Sequence, residues 1–381
     1  MNQNYIGEFV RDKELALRFH ADWLEEHIVK KTTLSIDTDY ATIKDVLDKY
    51  GFIVITNVLT HGEIRELEEL FENQLLESVD TTELKNYINL QSVFNRVVDG
   101  EIPFPKGSIP GATTKGFVSL CNFPQSEFAW KARLNKSVQS IFSNLHSCKA
   151  DEMCISMDLP FYGSEKIESD DVEMWAHTDQ NLKLKTGSDP SFQGLLYITD
   201  ATTEGTSNTV VYPCSHTDEY IRLMNAIPDL LHDKNHTIHI SSIHDNVIRN
   251  EFIDRWNKNC RRIPVPAGSI LIFNSKLIHQ GYPVGKRLVQ PICWEPKLFR
   301  TEVAYKQKLK ACLMGIGIHH GASYKKLEKP HYDKENVHKF IFPHKSIKNV
   351  TLVTLPDGLN IDDMTTEEIE MFIDKKFLQF I

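Results

Sequence analysis

The stretch VEMWAHTD, residues 172–179, carries two candidate metal ligands, His177 and Asp179, at alternate positions of a strand-like run. Side chains alternate between the faces of a strand, so His177 and Asp179 point one way and Thr178 the other. One short strand then offers two ligands to one ion. Further along, LIFNSKLIHQG at residues 271–281 is an apolar strand-like run ending in a Gly-containing turn, which sets the imidazole of His279 at a strand end. Two histidines and a carboxylate in this order suit the facial triad of non-haem iron oxygenases, which leaves three octahedral positions open.

Outward from these runs, the segment from about residue 151 keeps a rhythm of short strands. They are expected at 153–157, 172–179, 192–199, 209–212, 263–264, 269–273 and 287–294, with turn signals such as Thr203-Glu204-Gly205-Thr206-Ser207-Asn208 and Pro266-Ala267-Gly268 between them. The pattern predicts an all-β core. Residues 218–258 interrupt it with helical stretches at 220–226 and 246–256, an insertion able to shape or cover one mouth of the core. Ahead of the core, helical spacing at 12–26 and 41–49 precedes a Gly-opened, β-branched strand at 50–59. Thr60, with Glu63 three residues on, then caps an apolar-striped helix running to about residue 79. After Pro296 the chain turns charged and mostly helical, with helices at 306–314 and opening at 363–368. With no internal repeat or low-complexity linker, the simplest organisation is one domain at 1–300, its β core at about 150–296, and a helical extension at 301–381 packed on it.

Composition bounds the partners. The 381 residues suffice for a substantial core, and 41% apolar, 25% charged and a net charge of −9 describe a globular chain without the basic footprint of a nucleic-acid binder. The acidic balance also argues against an anionic membrane surface as partner. No apolar run approaches the roughly 20 residues of a bilayer span, and the polar start MNQNYIGEFVRDKE lacks a signal peptide's apolar region, so a cytoplasmic location is expected. Seven cysteines without a CxxC pair point to reduced core residues rather than a disulfide framework or a thiolate zinc site.

A histidine and an aspartate at fixed spacing arise easily by chance in a chain with 16 histidines, and the ordered company of this pair is what carries weight. Downstream lie the strand Gly194-Leu195-Leu196-Tyr197-Ile198-Thr199-Asp200, the turn Pro213-Cys214-Ser215-His216, the turn Ala267-Gly268-Ser269, then His279-Gln280-Gly281, and Arg287 opening the last core strand. In this order, from about residue 51 to about residue 296, the chain resembles the phytanoyl-CoA dioxygenase family of iron(II)- and 2-oxoglutarate-dependent oxygenases. It departs from that pattern in having Cys214 where Gly is usual, Ser269 after the Ala-Gly turn, and an Arg only eight positions after His279, which keeps Lys286 as a second candidate.

The resemblance implies a mainly β fold with flanking α-helices: a double-stranded β-helix (jelly-roll, cupin-like) core with helical N- and C-terminal extensions. Carried over residue by residue, it implies that His177, Asp179 and His279 hold Fe(II) and that Arg287 binds the distal carboxylate of the cosubstrate 2-oxoglutarate, a match of guanidinium fork to carboxylate. Gln193, Tyr197 and Asn181 are further candidates to hydrogen-bond the cosubstrate, and Trp175, on the strand face of His177, is a candidate pocket wall. Related halogenases lack the carboxylate ligand, so Asp179 favours hydroxylation or another oxidation. The implied partners are dioxygen and a small-molecule substrate. The loop at 161–171 and the insertion would frame its entrance.

No P-loop, nucleophile elbow or zinc helix competes, Gly315-Ile316-Gly317 reads as a turn, and His319, His320 and His331 read as solvated loop residues. Two alternatives stay open on sequence alone: a catalytically inactive binding or assembly module of the same fold, and a different metal in the same triad.

Overall fold

The fold is seen in a computed structural model that describes residues 21–79, 123–163, 174–184, 187–227, 236–282, 285, 287–314, 317, 321–323 and 363–381. The expectations for residues 12–20, 164–173, Lys286, His319, His320 and His331 lie outside the described residues.

The strands in chain order are β1 (Thr33–Ser35), β2 (Phe52–Thr56), β3 (Met153–Ile155), β4 (Phe161–Gly163), β5 (His177–Thr178), β6 (Phe192–Tyr197), β7 (Asn208–Val211), β8 (Ile238–His239), β9 (Arg261–Ile263), β10 (Ile270–Asn274), β11 (His279–Tyr282), β12 (Arg287–Ile292) and β13 (Trp294–Pro296). A larger sheet has the order β1-β2-β10-β6-β12-β4 and a smaller one β8-β5-β11-β7-β9, while β13 pairs with β3. Apart from the parallel β1–β2 pair, the pairings are antiparallel. Two facing antiparallel sheets joined by strands that switch between them make the jelly-roll core.

Period-two alternation explains how this core is filled. Phe52, Val54, Leu195, Tyr197, Leu271, Phe273 and Val289 of the larger sheet meet Val211 and Ile263 of the smaller one inside the roll. The intervening Ile53, Ile55, Leu196, Ile270, Ile272 and Leu288 point outward, where Phe71, Phe128, Ile141 and Phe142 of the flanking helices cover them. The larger sheet is thus largely apolar on both faces, which is why β2 and β10 read as nearly continuous apolar runs, each such side chain stabilising by roughly 1.5–3 kcal/mol when fully buried. The outer face of the smaller sheet, through Ala176, Val210 and Ile278, packs on the insertion, whose Tyr220, Leu223, Phe252 and Trp256 complete that layer.

Local chemistry follows the expected signals at several ends. Thr60 and Glu63 cap the His61–Val79 helix reciprocally, the Glu63 carboxylate accepting from the Thr60 N–H at 2.8 Å and the Thr60 hydroxyl from the Glu63 N–H at 3.2 Å. Thr365 and Glu368 repeat the device on the Thr366–Glu370 helix. That C-terminal segment packs on the core: Met364, Ile369 and Ile381 join the same buried cluster as the larger sheet, and the Ile155 N–H donates to the Phe380 carbonyl at 2.8 Å.

Three elements differ from expectation. Trp23 and Leu24 are not helical; the Leu24 N–H pairs with the Arg262 carbonyl at 3.0 Å, the Trp23 ring lies 4.0 Å from the Arg262 guanidinium, and the helix spans Glu26–Thr32. Pairing with the β9 edge prevails there over helical spacing. Among the described residues of the 172–179 run, only His177–Thr178 is strand. The 271–281 run is not one strand but two on different sheets, β10 ending at Asn274 and β11 starting at His279.

Cys214 occupies the left-handed region with φ of 63°, its N–H donating to the Tyr50 carbonyl at 2.9 Å. This is the turn position where glycine is usual in the resembling sequences, and a side chain there costs about 1–2 kcal/mol. Part of that strain is offset by the greater freedom glycine brings to the unfolded chain. Cys214→Gly is therefore expected to raise the unfolding free energy by about 0.5–1 kcal/mol, checked by urea denaturation of both proteins, with no change in the denaturant slope.

Candidate metal centre

In the antiparallel β5–β11 pair, His177 lies directly opposite His279. Residues so paired project to the same face about 4.5–5.5 Å apart at Cβ, and the two imidazole centroids here are 4.4 Å apart. Asp179, two positions past His177, returns to that face. Its Oδ1 lies 3.5 Å from Nε2 of His177 and its Oδ2 3.2 Å from Nε2 of His279. One ligand atom from each of the three residues falls within 4.8 Å of the others, and all three side chains are buried. The residues expected from sequence to hold the metal are thus brought together by register alone.

The hydrogen bonds around the triad prepare it for a cation. Nδ1 of His177 lies 3.1 Å from the Trp175 carbonyl and Nδ1 of His279 lies 3.0 Å from the Leu277 carbonyl. A carbonyl can only accept, so Nδ1 of each ring donates, which leaves Nε2, on the Asp179 side, as the atom that would ligate. Burial pushes the His177 imidazole below its usual range, against the attraction of the Asp179 carboxylate, and so favours the neutral, ligating form. Asp179 is held at both oxygens: Gln193 Nε2 donates to Oδ2 at 3.1 Å and the Thr237 hydroxyl to Oδ1 at 3.1 Å. The Asp179 main-chain N–H donates to the Ser275 carbonyl at 2.9 Å.

Along the inner face of β11, Gly281 follows His279 and stands opposite Thr209 of β7. Arg287 comes next. Its guanidinium is 5% exposed, donates to the Tyr197 hydroxyl at 3.1 Å, to Thr209 Oγ1 at 3.2 Å and to the Asn208 carbonyl at 3.4 Å, and lies 4.8 Å from the Phe161 ring centre. Nε of Arg287 has no partner, and none of the described residues sets a carboxylate against the guanidinium. A buried cation without a counter-charge is costly unless a ligand supplies one. A Cβ added to Gly281 would stand 3.9 Å from Arg287 Nη1 and 3.3 Å from the Trp175 ring. The missing side chain lets the Trp175 ring pack against β11 beside Arg287.

The remaining candidates separate. Gln193 serves the ligand Asp179. Tyr197 serves Arg287, and its hydroxyl also meets Thr209 Oγ1 at 3.0 Å. Asn181 turns its carbonyl oxygen to the Lys183 N–H at 3.1 Å. Trp175 stacks on His177 with centroids 4.8 Å apart and planes 17° apart. Thr209, Gly281 and Thr237 have no counterpart among the residues singled out from sequence. The signal for Thr209 and Gly281 was available in the alternation of β7 and β11; Thr237 carries none, because its position depends on how the insertion folds back.

A buried two-histidine, one-aspartate cluster inside a jelly roll defines a candidate mononuclear metal centre. The chain belongs to the phytanoyl-CoA dioxygenase (PhyH) family, whose model matches residues 47–285. No curated protein sequence matches it. Similar solved structures include HygX from Streptomyces hygroscopicus with nickel and 2-oxoglutarate bound, at 14% identity and a TM-score of 0.39 over 68% of this chain and 87% of that one. EctD from S. alaskensis with bound Fe is 12% identical with a TM-score of 0.41 over 75% of this chain and 83% of that one. GlcNAc Inducible Gene 2, GIG2 (DUF1479), from Candida albicans is 12% identical with a TM-score of 0.48 over 92% of this chain and 89% of that one.

A cobalt(II) titration of purified protein is expected to saturate at one ion per chain with the d–d absorption of a nitrogen- and oxygen-ligated site. His279→Ala, which removes one of three protein ligands, should lose most of that binding, and an unchanged titration would disprove the assignment.

Proposed function

We propose that this chain is an Fe(II)- and 2-oxoglutarate-dependent dioxygenase that hydroxylates a small organic substrate. The observation that carries the reading is the pairing of two incomplete charges on one interior surface. Among the described residues, a metal-ligating triad and a buried guanidinium with no carboxylate set against it both lie inside the roll, with Gly281 two positions past His279 on its strand and beside Arg287 Nη1. A dicarboxylate able to reach a metal with one end and an arginine with the other fits both. When bound, ferrous iron supplies the redox chemistry in which dioxygen and 2-oxoglutarate are converted to succinate and carbon dioxide, one oxygen atom going to succinate and one to the substrate.

The chain's own residues position and exclude. His177, Asp179 and His279 would hold the ion through two neutral nitrogens and one carboxylate, leaving the cavity side free for exchangeable ligands. Arg287 would receive the distal carboxylate through a forked pair of charged hydrogen bonds, steadied by the Tyr197 and Thr209 hydroxyls. Trp175 and Phe161 wall the cavity with aromatic surface that keeps water from the reacting groups. Asp179 fills the position that a halide would need, which favours oxygen transfer over halogenation.

The decisive assay is succinate release from 2-oxoglutarate with added ferrous iron, run with a panel of candidate metabolites and repeated with His177→Ala and Asp179→Ala. Both variants are expected to lose essentially all turnover; turnover equal to the native protein's in both would sink the reading.

A second measurement separates the cosubstrate pocket from the metal. Arg287→Gln removes charged hydrogen bonds to a carboxylate and is expected to cost about 2–3 kcal/mol, roughly 30- to 150-fold in 2-oxoglutarate affinity. Gly281→Leu should give a comparable loss by crowding the Arg287 guanidinium and the Trp175 ring. Both variants should keep the cobalt titration of the native protein.

A further inference from the structure

The insertion between β7 and β9 does more than flank the core. Its strand β8 adds to the edge of the smaller sheet beside β5, with His239 opposite His177 and Ile238 opposite Thr178, and the Ile240 N–H donates to the Ala176 carbonyl at 3.0 Å. Thr237, the residue just before β8, is thereby brought to Asp179, its hydroxyl 3.1 Å from Oδ1. A second arm of the insertion grips the chain just past the ligand: the Tyr220 hydroxyl donates to the Gln180 carbonyl at 2.7 Å and accepts from the Leu182 N–H at 3.1 Å. The two helices of the insertion, Asp218–Ala226 and Asn246–Asn259, are tied by Arg255, which clamps the Glu219 carboxylate at 2.8 and 2.6 Å, and are packed on the sheet through fully buried Tyr220, Leu223 and Trp256.

On this geometry, and resting on the metal reading of the same triad, we infer that the insertion is a structural part of the metal centre and that Thr237 is a positioning residue for the ligand Asp179. The physical reason lies in the carboxylate torsion. The last torsion of an aspartate has a broad, two-fold profile, so its oxygens are easily turned out of a ligating orientation. Gln193, from β6 of the larger sheet, donates to Oδ2, and Thr237 donates to Oδ1. A donor on each oxygen sets the plane of the carboxylate between the two imidazoles. Asp179 is 2% exposed, so water cannot readily replace a donor that is lost. Outer groups of this kind commonly govern metal affinity by about 10- to 100-fold.

The test uses the full chain and Mn(II), whose free concentration is read directly by electron paramagnetic resonance during titration. Thr237→Val keeps the shape and removes the hydroxyl; it is expected to bind Mn(II) at least about tenfold more weakly than the native protein. Thr237→Ser keeps the hydroxyl and should restore affinity to within about threefold. Thr237→Ala serves as a second hydroxyl-free variant should valine disturb folding, which the thermal melt of the metal-free protein reveals. Native-like affinity in a folded hydroxyl-free variant overturns the inference while leaving the proposed function standing. So does a serine variant as weak as the valine one, since the hydroxyl would then not be the determinant. A native protein that binds no Mn(II) overturns both.

Discussion

The register of one short strand pair, His177 opposite His279, is the constraint on which the rest of the site depends. An antiparallel pair puts facing residues on one side of the sheet at van der Waals distance, and alternation returns Asp179 to the same side two residues later. A slip of one residue would send both histidines to opposite faces. The surrounding structure resists that slip at several points: β7 pairs with the other edge of β11, β8 with the other edge of β5, and Ser275 accepts the Asp179 N–H from the crossing between sheets. The apolar filling of the roll supplies stability, and the ladder converts it into ligand geometry.

A second constraint is electrostatic. Burying three potential ligands and a guanidinium within one cavity costs free energy that the protein alone only partly recovers through hydrogen bonds. Burial holds the His177 imidazole toward its neutral form, and a carbonyl stands against Nδ1 of each ring; the carboxylate is met by an amide and a hydroxyl; the guanidinium is met by hydroxyls, a carbonyl and aromatic faces. Nε2 of each histidine is turned toward the Asp179 carboxylate, where an ion would sit, and Nε of Arg287 has no hydrogen-bond partner among the described residues. Residual hydrogen-bonding capacity of this kind is what a ligand-binding site offers.

The family's departures at this chain's turns have a local explanation. Cys214 accepts a left-handed backbone that glycine would adopt without strain, and does so at an exposed turn rather than at the site. Gly268, in the other turn, has φ of 75° and a Cβ there would meet Ile64 at 2.8 Å, so at this position the small residue is required by space as well as by conformation. Despite the short spacing from His279, Arg287 reaches the interior beside Tyr197 and Thr209.

What the chain determines on its own is the set of groups whose chemistry is carried by residue type and alternation: the strands, the capped helices, the two histidines and the aspartate, and the single arginine that opens the last core strand. Period-two patterning is local, and so it is visible in a string of letters. Tertiary structure alone decided which polar side chains serve which charge. Gln193 and Tyr197 occupy equivalent positions on the inner face of one strand, yet one reaches the carboxylate of Asp179 and the other the guanidinium of Arg287, because the partners come from other strands. Thr237 is the extreme case. Fifty-eight residues from Asp179 in the chain, it is brought there only because the insertion turns back and pairs β8 with β5. Hydrogen bonds between distant segments depend on how the sheets close on one another, and no periodicity in the sequence records that closure.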